Sequence, residues 1–206
     1  MRVEFGFRLG GAPSTPVLNQ HNEQLVAQGL PPYSEQSRKG NGWQTMATSA
    51  VAALVVRPST VTGVEIWNGN SDKVLVIDRL FSHNLVTSTT GLGGGATIWA
   101  MVSTPVIAGP TITALTIIGN YGKAYTGGVK TGVGTTVVAN GWFPWGSTRI
   151  KESAGAVVPG GVLEALVDGR LIVPPFCSLN ITVVSGYAAD TFCSGASWYE
   201  EPLTLA

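Results

Sequence analysis

Few side chains in this chain carry reactive chemistry, and their spacing decides what they could do. The histidines are His21 and His83, and the cysteines are Cys177 and Cys193. His83 follows Asp78 by five positions, so the two could form the base and orienting acid of a serine triad. No G-x-S-x-G elbow supplies the nucleophile. The histidines and cysteines show none of the paired spacing of a zinc site. Two cysteines are too few for a disulfide framework, and a bond between them needs almost directly opposed positions. They read as reduced, partly buried thiols. Glu200 and Glu201 are neighbours, which on a strand point to opposite faces and cannot share one acid–base task. "GLGGGA" (91–96) satisfies a dinucleotide fingerprint in outline, but that chemistry needs a helix N-terminus directly afterwards. The residues that follow, "TIWAMVS" (97–103), are β-branched and aromatic, so a hairpin tip is expected. The sequence therefore assigns no catalytic residue, no metal, no cofactor and no enzymatic activity.

The one aromatic concentration is "NGWFPWG" (140–146), where Trp142 and Trp145 flank Phe143 and Pro144. Three roles stay open for it: a platform on which a sugar stacks, an interface knob seated in a partner, or a bent loop capping the core. Trp43, Trp67, Trp99 and Trp198 lie in or beside strand patterns and read as core.

The elements that must position these residues are strands. From Ser49 onward, short β-branched runs alternate with Gly, Asn, Asp and Pro clusters, which predicts strands near 51–57, 64–67, 74–81, 97–103, 111–118, 135–139, 163–167, 171–173, 179–184 and 196–200. Eight to ten short strands and no convincing long helix point to an all-β, jelly-roll-like β-sandwich over residues 46–206. In "RLIVPPFCSLNITVVSG" (170–186) two prolines interrupt strand sequence. Proline cannot donate to a ladder, so the strand is expected to end at Val173, turn a corner and resume pairing at Ser178 in the facing sheet. Residues 1–45 hold several prolines, glycines and polar runs, with one weak helical pattern over 17–28. They read as an extended N-terminal arm.

Charge narrows the partners. Lys, Arg, Asp and Glu make up 12% of the chain and the net charge is zero, against about 25% charged residues in an ordinary soluble protein. No clustered basic face exists for nucleic acid. Residues 80–122 contain no charged residue at all, yet polar and turn residues break the stretch, so no run of roughly 18 apolar residues crosses a membrane. Neutral surface suits burial against other subunits. The alternative is a charge-poor central sheet with Ser and Thr facing water. "MRVEFGFRLGGAP" lacks the apolar centre of a signal peptide, so the chain is expected to be made and used from the cytoplasm. On that expectation the acceptor pattern Asn180-Ile181-Thr182 is a chance match within a strand.

Several segments resemble tailed-bacteriophage virion structural proteins, the small β-rich proteins that decorate or cement heads. They are "GLPPYSEQSRKGNGWQ" (29–44), "AVAALVVRPST" (50–60), "VEIWNGNSDKVLVIDRLFSHNLVTSTTGLGGG" (64–95), and the C-terminal "LIVPPFCSLNITVVSG" and "SGASWYEEP". The resemblance covers about two thirds of the chain and rests on turn-and-strand patterns. It implies a capsid decoration or minor capsid protein on the virion surface, assembled in the host cytoplasm. The implied partners are its own copies, as a homotrimer, and the major capsid protein. Interface candidates are Trp142, Phe143 and Trp145, with Pro31, Pro32 and Tyr33 in the arm. A tail or fibre module binding host glycan is the alternative, and a polysaccharide-degrading jelly-roll enzyme the third.

Overall fold

The computed structural model describes residues 32–86, 95–133, 136–137, 141–149 and 162–203. Residues 1–31, including His21, Pro31 and the helical pattern over 17–28, lie outside the described residues, as do 91–94 of the Gly-rich tip and most of 135–139.

The elements are a short helix α1 (Pro32–Arg38) and strands β1 (Gly42–Met46), β2 (Val51–Ala52), β3 (Val64–Asn68), β4 (Lys73–Val86), β5 (Gly95–Val102), β6 (Thr113–Ala114), β7 (Ile118–Gly119), β8 (Val129–Val133), β9 (Phe143–Arg149), β10 (Val162–Val173), β11 (Ser178–Ser185) and β12 (Thr191–Pro202). They form two packed antiparallel sheets, an all-β sandwich. One sheet runs β10-β4-β12-β1-β7, with β2 beside β12, and the other runs β6-β8-β3-β11-β5-β9. The pairings β1·β12, β3·β11, β4·β10 and β5·β9 are nested, early strands against late ones.

The alternation of β10 shows why this sequence makes a strand. Leu163, Ala165 and Val167 are buried, while Val162, Glu164 and Leu166 are exposed, the period of two that one covered face demands. Asp168 and Gly169 then take positive φ angles of 50° and 74°. The register against β4 shifts between Leu166 and Leu171. A bulge thus absorbs the Asp-Gly turn signal, and the two runs expected at 163–167 and 171–173 are one strand.

The proline corner lies where the sequence places it. β10 ends at Val173 in one sheet, and β11 begins pairing at Ser178 in the other. Two further apolar runs turn out to be crossings. Ala52 pairs with Thr191 in one sheet, while Leu54 bridges Val184 in the other, so only two residues of the run expected at 51–57 are strand. The run expected at 111–118 divides into β6 and β7, on different sheets.

β1 lies within the region read as arm, yet it pairs with both β12 and β7. The polar "GWQTM" carries inward Trp43 and Thr45, so strand structure begins before the expected boundary at residue 46. β8 and β9 escape the sequence pattern because Gly132, Pro144 and Gly146 interrupt β-branched character.

The core fills the space between the sheets with Trp198, Phe192, Leu75, Ile77, Leu80, Ile66, Leu179 and Ile181, all essentially inaccessible. Trp43 and Tyr125 close one end, ring edge to face at 4.8 Å.

Candidate interaction surface

The end of the sandwich beside the proline corner is assembled around Asn68, the last residue of β3. Its amide nitrogen donates to the carbonyls of Lys73 (2.8 Å) and Val173 (3.0 Å), and its side-chain oxygen accepts from the backbone and side chain of Asn70 (both 3.2 Å). Asn68 is fully buried with each polar group engaged, the condition under which a buried amide is tolerated. It ties the β3–β4 turn to the β10–β11 corner.

Phe176 completes the corner with φ of 62°, a region that bulky residues avoid. Such strain, on the order of 1–2 kcal/mol, persists where the surroundings over-determine it. Here its N–H donates to the Asn68 carbonyl at 2.6 Å, and its carbonyl accepts from Val106 N–H at 2.7 Å. The Trp67 indole N–H is shared between the carbonyls of Phe176 and Val106, at 3.1 Å each. The loop 103–112 is therefore pinned at Val106. Gly109, with φ of 73°, lies against the Trp67 ring, and a Cβ there would sit 3.1 Å from it. Gly109 N–H also donates to the Val106 carbonyl at 3.0 Å.

This pinned loop displays apolar side chains to solvent: Val106 is 45% and Ile107 78% exposed. Exposed Pro174 and half-buried Pro175 and Phe176 continue the surface. The Lys130 ammonium lies 5.3 Å from the centre of the Trp67 ring.

The uncharged stretch 80–122 divides in two. Leu80, Ser82, Asn84, Ala96, Ile98, Ala100 and Met101 are buried within the chain's own sandwich. The part that faces solvent runs from Thr104 onward, with Val106, Ile107, Ile118 and Tyr121 all well exposed. Among the described residues, intramolecular burial thus accounts for much of the missing charge, and the largely exposed part is the second.

The sequence candidates fall elsewhere. Within "NGWFPWG", Phe143 onward belongs to the edge strand β9 rather than to a loop, with Gly141 and Trp142 ahead of it. Trp142 is buried, its indole N–H donating to the Ser59 carbonyl at 2.8 Å, so it is engaged in the chain's own fold. Phe143 is 61% exposed, and its ring meets Trp145 edge-on at 5.9 Å. Trp145 is half-buried against the core, with the Arg170 guanidinium 5.8 Å from its ring. Pro32 opens α1. Tyr33 is half-buried, hydrogen-bonded to Asn120 and packed 6.2 Å from the Tyr199 ring; burial raises its pKa.

Asp78 and His83 share β4, but Asp78 contacts Ser197 (3.5 Å), while His83 stands opposite Cys193 and Val162, so no triad forms from them. Strand β5, not a helix, begins at Gly95. Glu200 points inward to Lys73 (3.0 Å) and Glu201 outward to Gln36 (3.4 Å), as adjacency on a strand requires. Cys177 and Cys193 are free and buried, and burial raises both thiol pKa values. The residues that build the exposed end, Trp67, Asn68, Val106, Ile107 and Phe176, were not singled out as a site by sequence, because their contacts span 39 to 109 positions. No family model, curated protein or solved structure matches the chain.

Proposed function

We propose that this chain is a structural subunit of a tailed-bacteriophage particle, a capsid decoration or minor capsid protein that self-associates and attaches through the Val106–Ile107 end. Its role is mechanical rather than catalytic: each copy bridges capsomers and raises the cost of pulling the shell apart. The segment resemblance supports the virion setting. The strand order supports a jelly roll. With β1, β3, β4, β5, β9, β10, β11 and β12 numbered one to eight, the sheets read 6-3-8-1 and 2-7-4-5. That is one long antiparallel ribbon rolled up, an architecture shared by viral capsid and lectin domains.

The observation that carries the attachment is Ile107, largely exposed beside Val106 in a loop fixed by three backbone and indole hydrogen bonds. A loop already ordered loses little entropy on docking. Burying one such side chain contributes about 1.5–3 kcal/mol, small for one copy and large over a multivalent lattice. The test is co-sedimentation of the purified chain with phage heads that lack it. Ile107→Glu should abolish binding while leaving the melting temperature unchanged, and undiminished binding would refute the attachment. Sedimentation equilibrium tests self-association, which a monomer at high concentration would exclude.

The glycan-binding alternative retains one specific support, the exposed Phe143 ring meeting Trp145, whose own ring faces Arg170. Glycan-array binding that is lost in Phe143→Ala would favour it.

A further inference from the structure

The structure assigns a cation site to the outer face of the β3–β11 pair, built on Glu65 and Asn180 and suited to a hard ion such as calcium. Val64, Ile66, Leu179 and Ile181 belong to the core, so strand alternation turns Glu65 and Asn180 to the opposite face of the sheet. The two are direct partners in the antiparallel ladder, which sets their Cβ atoms about 4.5–5.5 Å apart. The outer face of a sandwich sheet is commonly solvated. Here Glu65 is 3% and Asn180 0% exposed.

Each of these side chains has an oxygen that lacks a donor. Glu65 Oε2 and Asn180 Oδ1 are fully enclosed and accept no hydrogen bond among the described residues. The Asn180 amide nitrogen donates to the Ser178 carbonyl on its own strand at 3.3 Å. Glu65 makes no ion pair among the described residues. Lys130 stands diagonally across from it on β8, opposite Trp67, with its ammonium 5.3 Å from the centre of that ring. Burying a charge is costly unless it is paired or coordinates a metal. A water could donate to both oxygens but would leave the carboxylate charge in place. A cation satisfies the oxygens and the charge together.

The neighbours favour oxygen ligation. Ser178 and Thr182 flank Asn180 on the same face, both buried, and offer hydroxyl oxygens. Oxygen donors select a hard cation. Calcium tolerates irregular geometry and completes its shell with water, whereas magnesium demands a near-ideal octahedron. No group of three acidic, histidine or cysteine ligands exists among the described residues. With one carboxylate the affinity falls at the weak end, a Kd of about 10⁻⁴–10⁻³ M. Gly132 stands opposite Glu65 on β8, and a Cβ there would come 2.5 Å from Ile112. Loop 103–112, which also lies against Trp67 at Gly109, therefore passes over this face beside Glu65. The site stands whether or not that loop is the attachment surface.

The test is titration calorimetry of the full, chelator-stripped chain with calcium chloride, with melting temperature as a second readout. Wild type should bind a single calcium ion saturably, and about 10 mM calcium should raise its melting temperature by about 3 °C or more. Glu65→Gln keeps the shape without the charge and should lose both responses. Asn180→Asp adds a second carboxylate. It should melt below wild type in chelator and bind calcium about tenfold more tightly, since ligand charge sets affinity. The site is overturned if wild type shows no saturable binding, which would leave the two oxygens to an ordered water only. It is equally overturned if sodium chloride at matched ionic strength gives the same shift, or if Glu65→Gln binds as wild type does. Should Glu65→Gln fail to fold, unchanged calcium affinity in Asn180→Asp overturns the site by itself.

Discussion

The side-chain amide of Asn68 donates to the carbonyl of Val173 at 3.0 Å, binding the end of β3 to the last residue before the Pro174-Pro175 corner. Because the same amide also serves the Lys73 carbonyl, one residue satisfies two chain reversals. Asn68→Asp keeps the shape and both acceptors but removes the donors. Each buried carbonyl left unpaired costs about 1–3 kcal/mol, so the variant should lose about 2–5 kcal/mol in urea unfolding. A change below about 0.5 kcal/mol, typical of surface substitutions, would show that Asn68 does not hold the corner.

Phe176 tests stored strain. Phe176→Gly and Phe176→Ala both remove the ring, but only glycine adopts φ of 62° without penalty. Glycine should therefore be the more stable of the two by about 1–2 kcal/mol, measured by chemical denaturation. Equal stability would mean the backbone relaxes once the ring is gone.

Lys73 and Glu200 test an asymmetric ion pair. The ammonium is partly in water while the carboxylate is almost covered, with one oxygen lacking a hydrogen-bond partner. Lys73→Met should cost more than an exposed salt bridge, about 1–3 kcal/mol, because it strands the buried carboxylate. In Glu200→Gln the lysine simply faces water. The Lys73→Met penalty should shrink in the Glu200→Gln background, and a double-mutant cycle reads that coupling.

Alkaline pH should unfold the protein. Burial raises the pKa of Tyr33, Tyr125 and Tyr199 above the ordinary value of 10.0, most strongly for Tyr125, which also lies near the Glu200 charge. A raised folded-state pKa means that the unfolded chain ionises first. The stability is complete below pH 10 and is lost as pH rises through the folded-state values. Melting temperature should fall steadily above pH 10, and less steeply in Tyr125→Phe. Identical slopes for the two proteins would assign the alkaline loss to other groups.

Some of this architecture is legible one segment at a time. "RLIVPPF" announces the crossing because proline has no N–H to give a ladder, and two prolines in succession remove consecutive donors. The adjacent Glu200 and Glu201 announce opposite faces because a strand repeats every two residues. Local rules mislead where one run serves two sheets. "VAALVVR" looks like a strand, yet it leaves one sheet at Ala52 and joins the other at Leu54, where the pairing partners are Thr191 and Val184. Residues far along the chain choose that crossing, not the run itself.

By itself, then, the sequence determined a β-rich chain, the place of its proline corner and a long stretch without charge. Those follow from the backbone preferences and side-chain chemistry of near neighbours. Only the tertiary structure decided that much of the uncharged stretch is interior and that Ile107 stands in solvent next to Val106, which Trp67 and Phe176 hold. It also set Leu166 and Ile118 at opposite edges of one sheet. Exposure belongs to a residue's neighbours in space, and here those neighbours come from distant parts of the chain.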